Sequence, residues 1–379
     1  MTPSDIVRLQ PGAWRLLSRA FRAGRVAGTY LFHGPRGVGH WALFVNFAAL
    51  LNCEQPRPSE TDPEIILPCG ACRNCRRVFA LDFEGLSFAV PLPPHDRPAQ
   101  AVDLTIEFLE TKRHDPFAAV TYPAKPTIPI AVARQIKQHL SRRASEGMTR
   151  VVVFYQMEQM LHSSADALLK LIEEPPERTV IILTAERPER LLPTIQSRAQ
   201  RIRLHRCATN ALQEYLAAHY EGDEARLALA ARLADGSVAR AVAALADDEA
   251  GDDDNSTRLT SFRLFQSLLQ EDTPEALGRL TESLDLKDRS RAEELLRHWQ
   301  SYLRDCANYA VLENEGELVN VDFAADLERL APRFARNDLA LRLTESIKNA
   351  LADLRLNVHI PGALSALVIT LRSQVEAAA

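Results

Sequence analysis

The sequence predicts an α/β domain built on a parallel sheet with a phosphate-loop turn, followed by helical domains. A short apolar strand, Thr29 to Phe32, runs into a glycine-rich turn and then into the apolar helix Trp41 to Leu51. This strand–loop–helix order is that of phosphate-binding domains. Two further apolar runs, Val151 to Phe154 and Val180 to Leu183, are typical of parallel strands covered on both faces. After Arg206 the strand pattern fades and helical periodicity takes over.

Local signals define the elements around these strands. A leading helix is expected from Gly12 to Arg25, where apolar residues recur at helical spacing. A helix from Ser163 to Glu174 separates the second and third apolar runs, because serine favours its start and Pro175-Pro176 ends it. Residues 83–129 are rich in proline and form a longer connection than a compact domain usually tolerates without structure. The sequence assigns this segment no role.

The pattern beyond the last strand divides the remainder of the chain. Ala208 to Ala246 indicates short helices around Gly236, whereas residues 247–257, DDEAGDDDNST, are too polar to bury a core and are expected to form a linker. Helical periodicity returns from Phe262 to Leu371. We therefore expect an α/β domain over residues 1–203, a small helical domain over 204–248 and an all-α domain over 258–379.

Composition and charge limit the function classes. Apolar residues make up 46% of the 379 residues and charged residues 25%, as in an ordinary globular protein. Lys and Arg number 45 against 50 Asp and Glu, so the net charge of -5 gives no overall attraction to DNA or to an anionic membrane. No apolar stretch is long enough for a membrane span, and the first residues lack a secretion signal. We therefore expect a cytoplasmic protein whose nucleic-acid contacts are local or shared with partners.

The glycine-rich turn has the backbone frame of a phosphate loop without its reactive side chains. Gly34, Gly37 and Gly39 fit the spacing of G-x-x-x-x-G-K-[ST], in which backbone N–H groups cradle phosphate oxygens. His40 replaces the lysine that reaches the β- and γ-phosphates, and Trp41 replaces the hydroxyl residue that binds Mg²⁺. Nucleotide binding without hydrolysis and a plain strand-to-helix turn both stay open.

The end of the second apolar strand lacks the acids that hydrolysis needs. Phosphate-loop ATPases place an Asp, often followed by Glu, at this point to hold Mg²⁺ and to position water. Here Gln156 and Met157 follow the strand, and Glu158 comes two residues later, beyond the metal position. Because both catalytic elements are missing together, we do not expect ATP hydrolysis by this chain.

Four cysteines form a candidate metal site. Cys69, Cys72 and Cys75 follow a C-x-x-C-x-x-C pattern, and Cys53 lies upstream. Four thiolates can complete a closed tetrahedral Zn²⁺ site that leaves no position for a substrate, so the zinc would be structural. The alternative is a set of free or redox-active thiols.

Together these motifs resemble the AAA+ clamp-loader ATPases of bacterial replication, and most closely their delta-prime subunits. The resemblance lies in TYLFHGP at 29–35, the cysteine cluster, ALLKLIEEPP at 167–176 and LLPTIQSR at 191–198. A degenerate phosphate loop is a trait of that subtype, whereas motor subunits keep Lys-Thr and Asp-Glu. The resemblance implies a RecA-like AAA+ domain with a zinc-binding insertion over 53–75, a helical lid and a C-terminal collar domain that holds a ring together.

The resemblance also implies a role for one arginine. The family's Ser-Arg-Cys motif carries an arginine finger that reaches into the ATP site of the neighbouring subunit, and Arg198 occupies that position. The motif here is Ser197-Arg198-Ala199, so the residue beside the arginine differs from the family's cysteine. The alternative is a surface arginine within a basic run. Ala239 lies near the position where motor subunits have an ATP-sensing arginine.

The function implied is that of a stationary, non-hydrolysing member of a hetero-oligomeric ring. Its partners would be the gamma/tau motor subunits, the delta subunit, the sliding clamp and, through the complex, primer-template DNA. Two alternatives stay open: an ATP-hydrolysing motor subunit and a stand-alone zinc-binding AAA+-like adaptor.

Overall fold

A computed structural model shows two compact units, Met1–Ala243 and Ala244–Ala379. The division of the first unit at residue 203 into an α/β domain and a lid remains a prediction. The structure describes residues 2–95, 97–120, 122, 124–140, 147–161, 168–249, 257–283, 289–312, 318–335, 338–354 and 358–378.

A parallel sheet of five strands forms the centre of the first unit, and a separate hairpin contains two more strands. The strands of the sheet are β1 (Thr29–His33), β4 (Leu86–Ala89), β5 (Arg150–Phe154), β6 (Thr179–Ala185) and β7 (Gln200–Arg203), and those of the hairpin are β2 (Arg57–Pro58) and β3 (Ile66–Leu67). In the sheet the order is β4-β5-β6-β1-β7. The three central strands contain the apolar runs, so the sequence prediction of these strands is confirmed. The short outer strands β4 and β7 were not predicted, because an edge strand such as Gln200-Arg201-Ile202-Arg203 buries too little to need an apolar run.

Helices cover both faces of this sheet. The helix after β1 is buried on almost every side, which explains its uninterrupted apolar sequence. The opposite face packs Leu31, Phe154 and Leu183 against two helices that precede and follow β5. The helices of this unit are α1 (Pro3–Leu9), α2 (Pro11–Arg22), α3 (His40–Leu51), α4 (Arg73–Phe79), α5 (Pro98–His114), α6 (Ile130–Leu140), α7 (Leu169–Glu173), α8 (Pro193–Gln196), α9 (Thr209–His219), α10 (Glu224–Leu233) and the first half of α11 (Val238–Glu249), whose residues from Ala244 onward belong to the second unit. Of the helix expected over 163–174, residues 163–167 lie outside the described residues.

The proline-rich segment 83–129 contains regular structure that the sequence pattern did not show. It holds β4 and the 17-residue helix α5. Pro98 stands in the first turn of α5, where a backbone N–H would have no partner within the helix, so its absence in proline costs no hydrogen bond. Lys112, Arg113 and His114 in the last turn complement the negative end of the helix dipole. The prolines therefore flank the helix and do not interrupt it.

The second unit is helical throughout its described part. Its core lies around Phe265, Trp299, Tyr302, Leu343 and Leu371, which confirms the helical pattern expected from Phe262 onward. In the segment expected to be a linker, α11 continues to Glu249, and residues 250–256 lie outside the described residues. No described helix is both long and apolar enough to cross a bilayer. The helices are α12 (Thr257–Gln270), α13 (Thr273–Ser283), α14 (Arg289–Leu312), α15 (Ala324–Leu330), α16 (Leu339–Leu354) and α17 (Ile360–Glu376).

Candidate functional site

The glycine-rich turn connects β1 to α3 and has the backbone shape that its glycines permit. Gly37 and Gly39 have φ values of 77° and 112°, in the region where a side chain is strained. A β-carbon on Gly37 would lie 2.3 Å from the Ser237 hydroxyl oxygen. Gly37 is therefore required both by its backbone conformation and by the close approach of the segment that leads into α11.

Backbone groups of the loop bond to other parts of the chain. The Ala239 N–H donates to the Gly37 carbonyl at 3.2 Å, and the buried Gln10 side chain donates to the Val38 carbonyl at 3.0 Å. Ala239 thus touches the loop through its backbone, near the position where the resemblance puts an ATP-sensing arginine in motor subunits. The start of α11 is therefore bonded directly to the loop.

His40 begins α3 and cannot act as the missing cation. It is 7% exposed, and burial, helped by the positive charges of His33 and Lys112, lowers its pKa to about 4. Its imidazole is therefore neutral at physiological pH, and Nε2 has no hydrogen-bond partner among the described residues.

Trp41, in the first turn of α3, packs in a cluster of aromatic side chains. Its indole stacks on Phe88, with ring centroids 5.6 Å apart and an interplanar angle of 16°. The ring of Tyr155, at the end of β5, meets it edge-on at 5.2 Å, and Phe108 from α5 lies 5.6 Å away. The position that binds Mg²⁺ in an active phosphate loop is here part of an aromatic core.

Lys112 of α5 brings a buried ammonium group to the same place. Its Nζ donates to the carbonyls of Ala118 at 2.6 Å and Pro116 at 3.3 Å, and it lies 5.7 Å from the Trp41 ring centroid. Burial lowers the pKa of Lys112 to about 8. Sequence reasoning missed this residue, because its only signal was a basic residue in the last turn of an unpredicted helix.

The remaining space beside the loop is small. Phe117 lies over Gly39, so close that a β-carbon there would be 3.3 Å from its ring. A cavity of about 50 Å³ remains between the loop, α5 and the segment that follows it. Sites for drug-sized ligands usually measure about 300–1,000 Å³. The cavity beside the loop is therefore smaller than such sites.

The carboxylates nearest to the loop are engaged in structural contacts. Glu158 accepts a hydrogen bond from the backbone N–H of Glu186 at 2.7 Å, and burial raises its pKa. Gln156 donates to the Glu186 carboxylate at 3.4 Å, and Arg36 lies 3.7 Å from the same carboxylate. Glu158 thus connects the end of β5 to the end of β6, and its place beyond the metal position stays a prediction.

Arg198 follows α8 at the molecular surface. Its Nη1 donates to the Thr194 carbonyl at 2.9 Å, and its Nε contacts the carboxylate of Glu173, the last residue of α7. Ala199, which stands where the family motif has cysteine, is buried with Ile195 in the core under the sheet. Ala199, in place of the family's cysteine, therefore lies in the core behind Arg198, and the Arg198 guanidinium is accessible.

The four clustered cysteines converge. Their sulfur atoms all lie within 4.8 Å of one another, and Cys69 Sγ is 3.9 Å from Cys75 Sγ. Backbone N–H groups of Cys69 and Cys72 point at the sulfurs of Cys53 and Cys69, both at 3.2 Å. Such N–H groups stabilise negative charge on sulfur. The cluster lies between α3 and α4, with the β2–β3 hairpin (Arg57–Pro58 and Ile66–Leu67) between Cys53 and Cys69.

Comparisons with known proteins agree with this arrangement. Residues 9–208 match the family model described as DNA polymerase III, delta subunit. The delta' subunit of Bacillus subtilis is 26% identical over 212 residues, which are 56% of this chain and 52% of that protein. The delta' subunit of Pseudomonas aeruginosa is 29% identical over 198 residues, 52% of this chain and 47% of that protein. The alignments thus span about half the length of these relatives.

Gamma/tau subunits are also among the relatives. A solved gamma subunit-related protein from Thermotoga maritima is 17% identical, with 76% of this chain and 93% of that chain covered and a TM-score of 0.35. The matched residues 9–208 include the degenerate phosphate loop, the cysteine cluster and Arg198. Because they make up more than half of the chain, this protein belongs to the DNA polymerase III delta-subunit family and is similar to its delta' members.

Proposed function

We propose that this chain is a stationary, non-hydrolysing subunit of the clamp loader, which neither binds nor cleaves ATP. The observation that carries the proposal is that the chain's own side chains fill its phosphate-loop site. Trp41 and Lys112 occupy the region beside the loop, and the start of α11 is bonded to Gly37. ATP would have to displace a packed aromatic cluster and then bind without the lysine and the acids that recognise its phosphates.

The alternative of an ATP-hydrolysing motor subunit requires a lysine and an acid supplied from elsewhere in the chain. Lys112 is such a lysine, but two backbone carbonyls already accept hydrogen bonds from its ammonium group. Glu158 is such an acid, but its Oε1 accepts a hydrogen bond from the Glu186 N–H. Both candidates therefore support the fold, and the geometry favours the passive subunit.

We propose a structural zinc ion in the cysteine cluster. A tetrahedral site with Zn–S bonds of about 2.3 Å places the sulfurs roughly 3.8 Å apart, close to the 3.9 Å between Cys69 and Cys75. Burial raises the pKa of Cys75, so a divalent cation is needed for all four sulfurs to be thiolates. Cys53, Cys69, Cys72 and Cys75 would be the ligands, and the closed set leaves no coordination position for catalysis.

The proposed contribution of this subunit to catalysis is Arg198. A guanidinium that enters a neighbouring ATP site stabilises the charge on the transferred phosphoryl group. Arg198 is partly exposed and lies at the end of a short helix, so a neighbouring subunit can approach it. The neighbour would be a gamma/tau motor subunit. The delta subunit, the sliding clamp and primer-template DNA complete the proposed set of partners in the cytoplasm.

Reconstitution tests this function. The chain is mixed with the motor and delta subunits of its own organism, and assembly is followed by size-exclusion chromatography with light scattering. We expect one copy of this chain in a stable hetero-oligomer that loads clamps onto primed DNA, and no loading when it is omitted. If the motor and delta subunits load clamps equally well without this chain, the proposal is wrong and the stand-alone adaptor gains support.

A further inference from the structure

The side chain of Arg198 is held from two sides. Its Nε contacts the carboxylate of Glu173, and its Nη1 donates to the Thr194 carbonyl at 2.9 Å. A guanidinium has five N–H donors in a rigid plane, and the Thr194 carbonyl accepts a hydrogen bond from one of them. Glu173 forms an ion pair with Nε, and the two N–H groups of Nη2 at the tip have no hydrogen-bond partner among the described residues.

Both supports of this clamp are fixed to the core. Glu173 ends α7, whose Leu171 and Ile172 are buried. Pro175-Pro176, which begins two residues later, prevents the helix from continuing. Thr194 belongs to α8, which begins with Pro193 and is anchored by the buried Ile195. The guanidinium is therefore held by two short helices that each bury side chains in the core.

We infer that Glu173 is a positioning residue for Arg198, holding its guanidinium so that the tip faces a phosphate anion on the neighbouring subunit. This inference rests on the proposed function of Arg198. An arginine side chain loses rotamer freedom when it binds, and the Glu173 clamp removes part of that freedom before the neighbour arrives. Positioning of this kind raises the rate of the chemical step and leaves the affinity for ATP unchanged.

The geometry favours a role in which Glu173 positions Arg198 for the neighbouring subunit over sequestration, in which Glu173 would hold Arg198 away from that subunit. The Arg198 and Glu173 side chains are 37% and 39% exposed, and ion pairs with that access to water are weak. A polyphosphate can engage the free Nη2 donors while Nε stays on the carboxylate. Sequestration would require Glu173 or a second acid to cover the tip, and the described residues provide none.

The test uses the reconstituted loader with motor subunits, delta, clamp and primed DNA. Steady-state ATP turnover is compared for Glu173→Ala, Glu173→Gln, Arg198→Ala and the double variant Glu173→Ala with Arg198→Ala. The matched control is Glu174→Ala, which removes the adjacent carboxylate of the same motif. Circular dichroism melting of each isolated chain shows whether the variant keeps the stability of the unmodified protein.

We expect kcat to fall about tenfold for Glu173→Ala and about threefold for Glu173→Gln, which keeps a neutral acceptor for Nε. KM for ATP should not change, Glu174→Ala should match the unmodified chain, and Glu173→Ala should add no further loss to Arg198→Ala. Unchanged kcat in both Glu173 variants beside a defective Arg198→Ala overturns the inference and leaves the arginine's role intact. A raised kcat means sequestration and also overturns it. If Arg198→Ala itself has no effect, the proposed function of Arg198 fails and the inference fails with it.

Discussion

Replacing Arg198 with alanine is expected to lower ATP turnover at the neighbouring site by a factor on the order of 10³, the scale typical of arginine fingers. The substitution removes the cation that compensates charge on the transferred phosphoryl group. Assembly should persist, because the Arg198 side chain is partly exposed and, among the described residues, makes polar contacts only with the exposed Glu173 and the Thr194 carbonyl. Single-turnover measurements on the reconstituted loader resolve the affected site from the other motor sites.

Arg201→Ala is the matched control for this experiment. Arg201 lies three residues further on, is exposed and belongs to the same basic run, so its removal changes the net charge by the same amount. Turnover should remain within about twofold of the unmodified loader with this variant. Equal losses for both variants would mean that general positive charge, and not a specific guanidinium, supports the neighbour.

Replacing Cys75 with serine is expected to abolish zinc binding and to destabilise the first unit by several kcal/mol. Cys75 is fully buried, and a serine hydroxyl is not a zinc ligand of the strength of a thiolate. Bound zinc is part of the folding free energy of such modules. The Trp14 indole still donates to the Ile66 carbonyl at 3.1 Å, so the module should loosen without unfolding the whole chain. Metal analysis and thermal melting with and without a chelator measure both effects.

The Cys207→Ser variant distinguishes the effects of zinc loss from the effects of losing a buried thiol. Cys207 is buried in the same unit and receives a hydrogen bond from Gln10, but it lies outside the cluster. This variant should keep one zinc per chain and respond to chelator as the unmodified protein does. A Cys75→Ser protein that retains a full zinc equivalent would rule out the four-thiolate site.

The central sheet could be predicted from the sequence because its strands are buried on both faces. Val151 to Phe154 and Val180 to Leu183 need apolar side chains at every position, and that requirement leaves an unambiguous run. The edge strand β7 and the helix α5 have no such requirement. In α5, Val102 and Ile106 are exposed, so its apolar residues do not mark one buried face, and the surrounding prolines hide the helix.

The candidate site was predictable where it depends on chain-local spacing. The glycines of the loop and the cysteine pattern lie within a few residues of each other, and the structure brings the four sulfurs together as expected. Lys112 and Glu173 could not be found in this way. Lys112 reaches the loop from 72 residues beyond His40 along the chain, and the Arg198–Glu173 contact joins two helices with a strand between them. Such contacts depend on tertiary packing and leave no local signal.

The central claim is that the phosphate-loop site is filled by the protein itself. Equilibrium binding of a fluorescent ATP analogue to the isolated chain, with Mg²⁺ present and hydrolysis followed in parallel, tests it most directly. We expect no saturable binding at millimolar nucleotide and no phosphate release above the protein-free rate. Saturable binding together with hydrolysis that disappears on substitution of His40 or Glu158 would contradict the claim and identify the chain as an active ATPase.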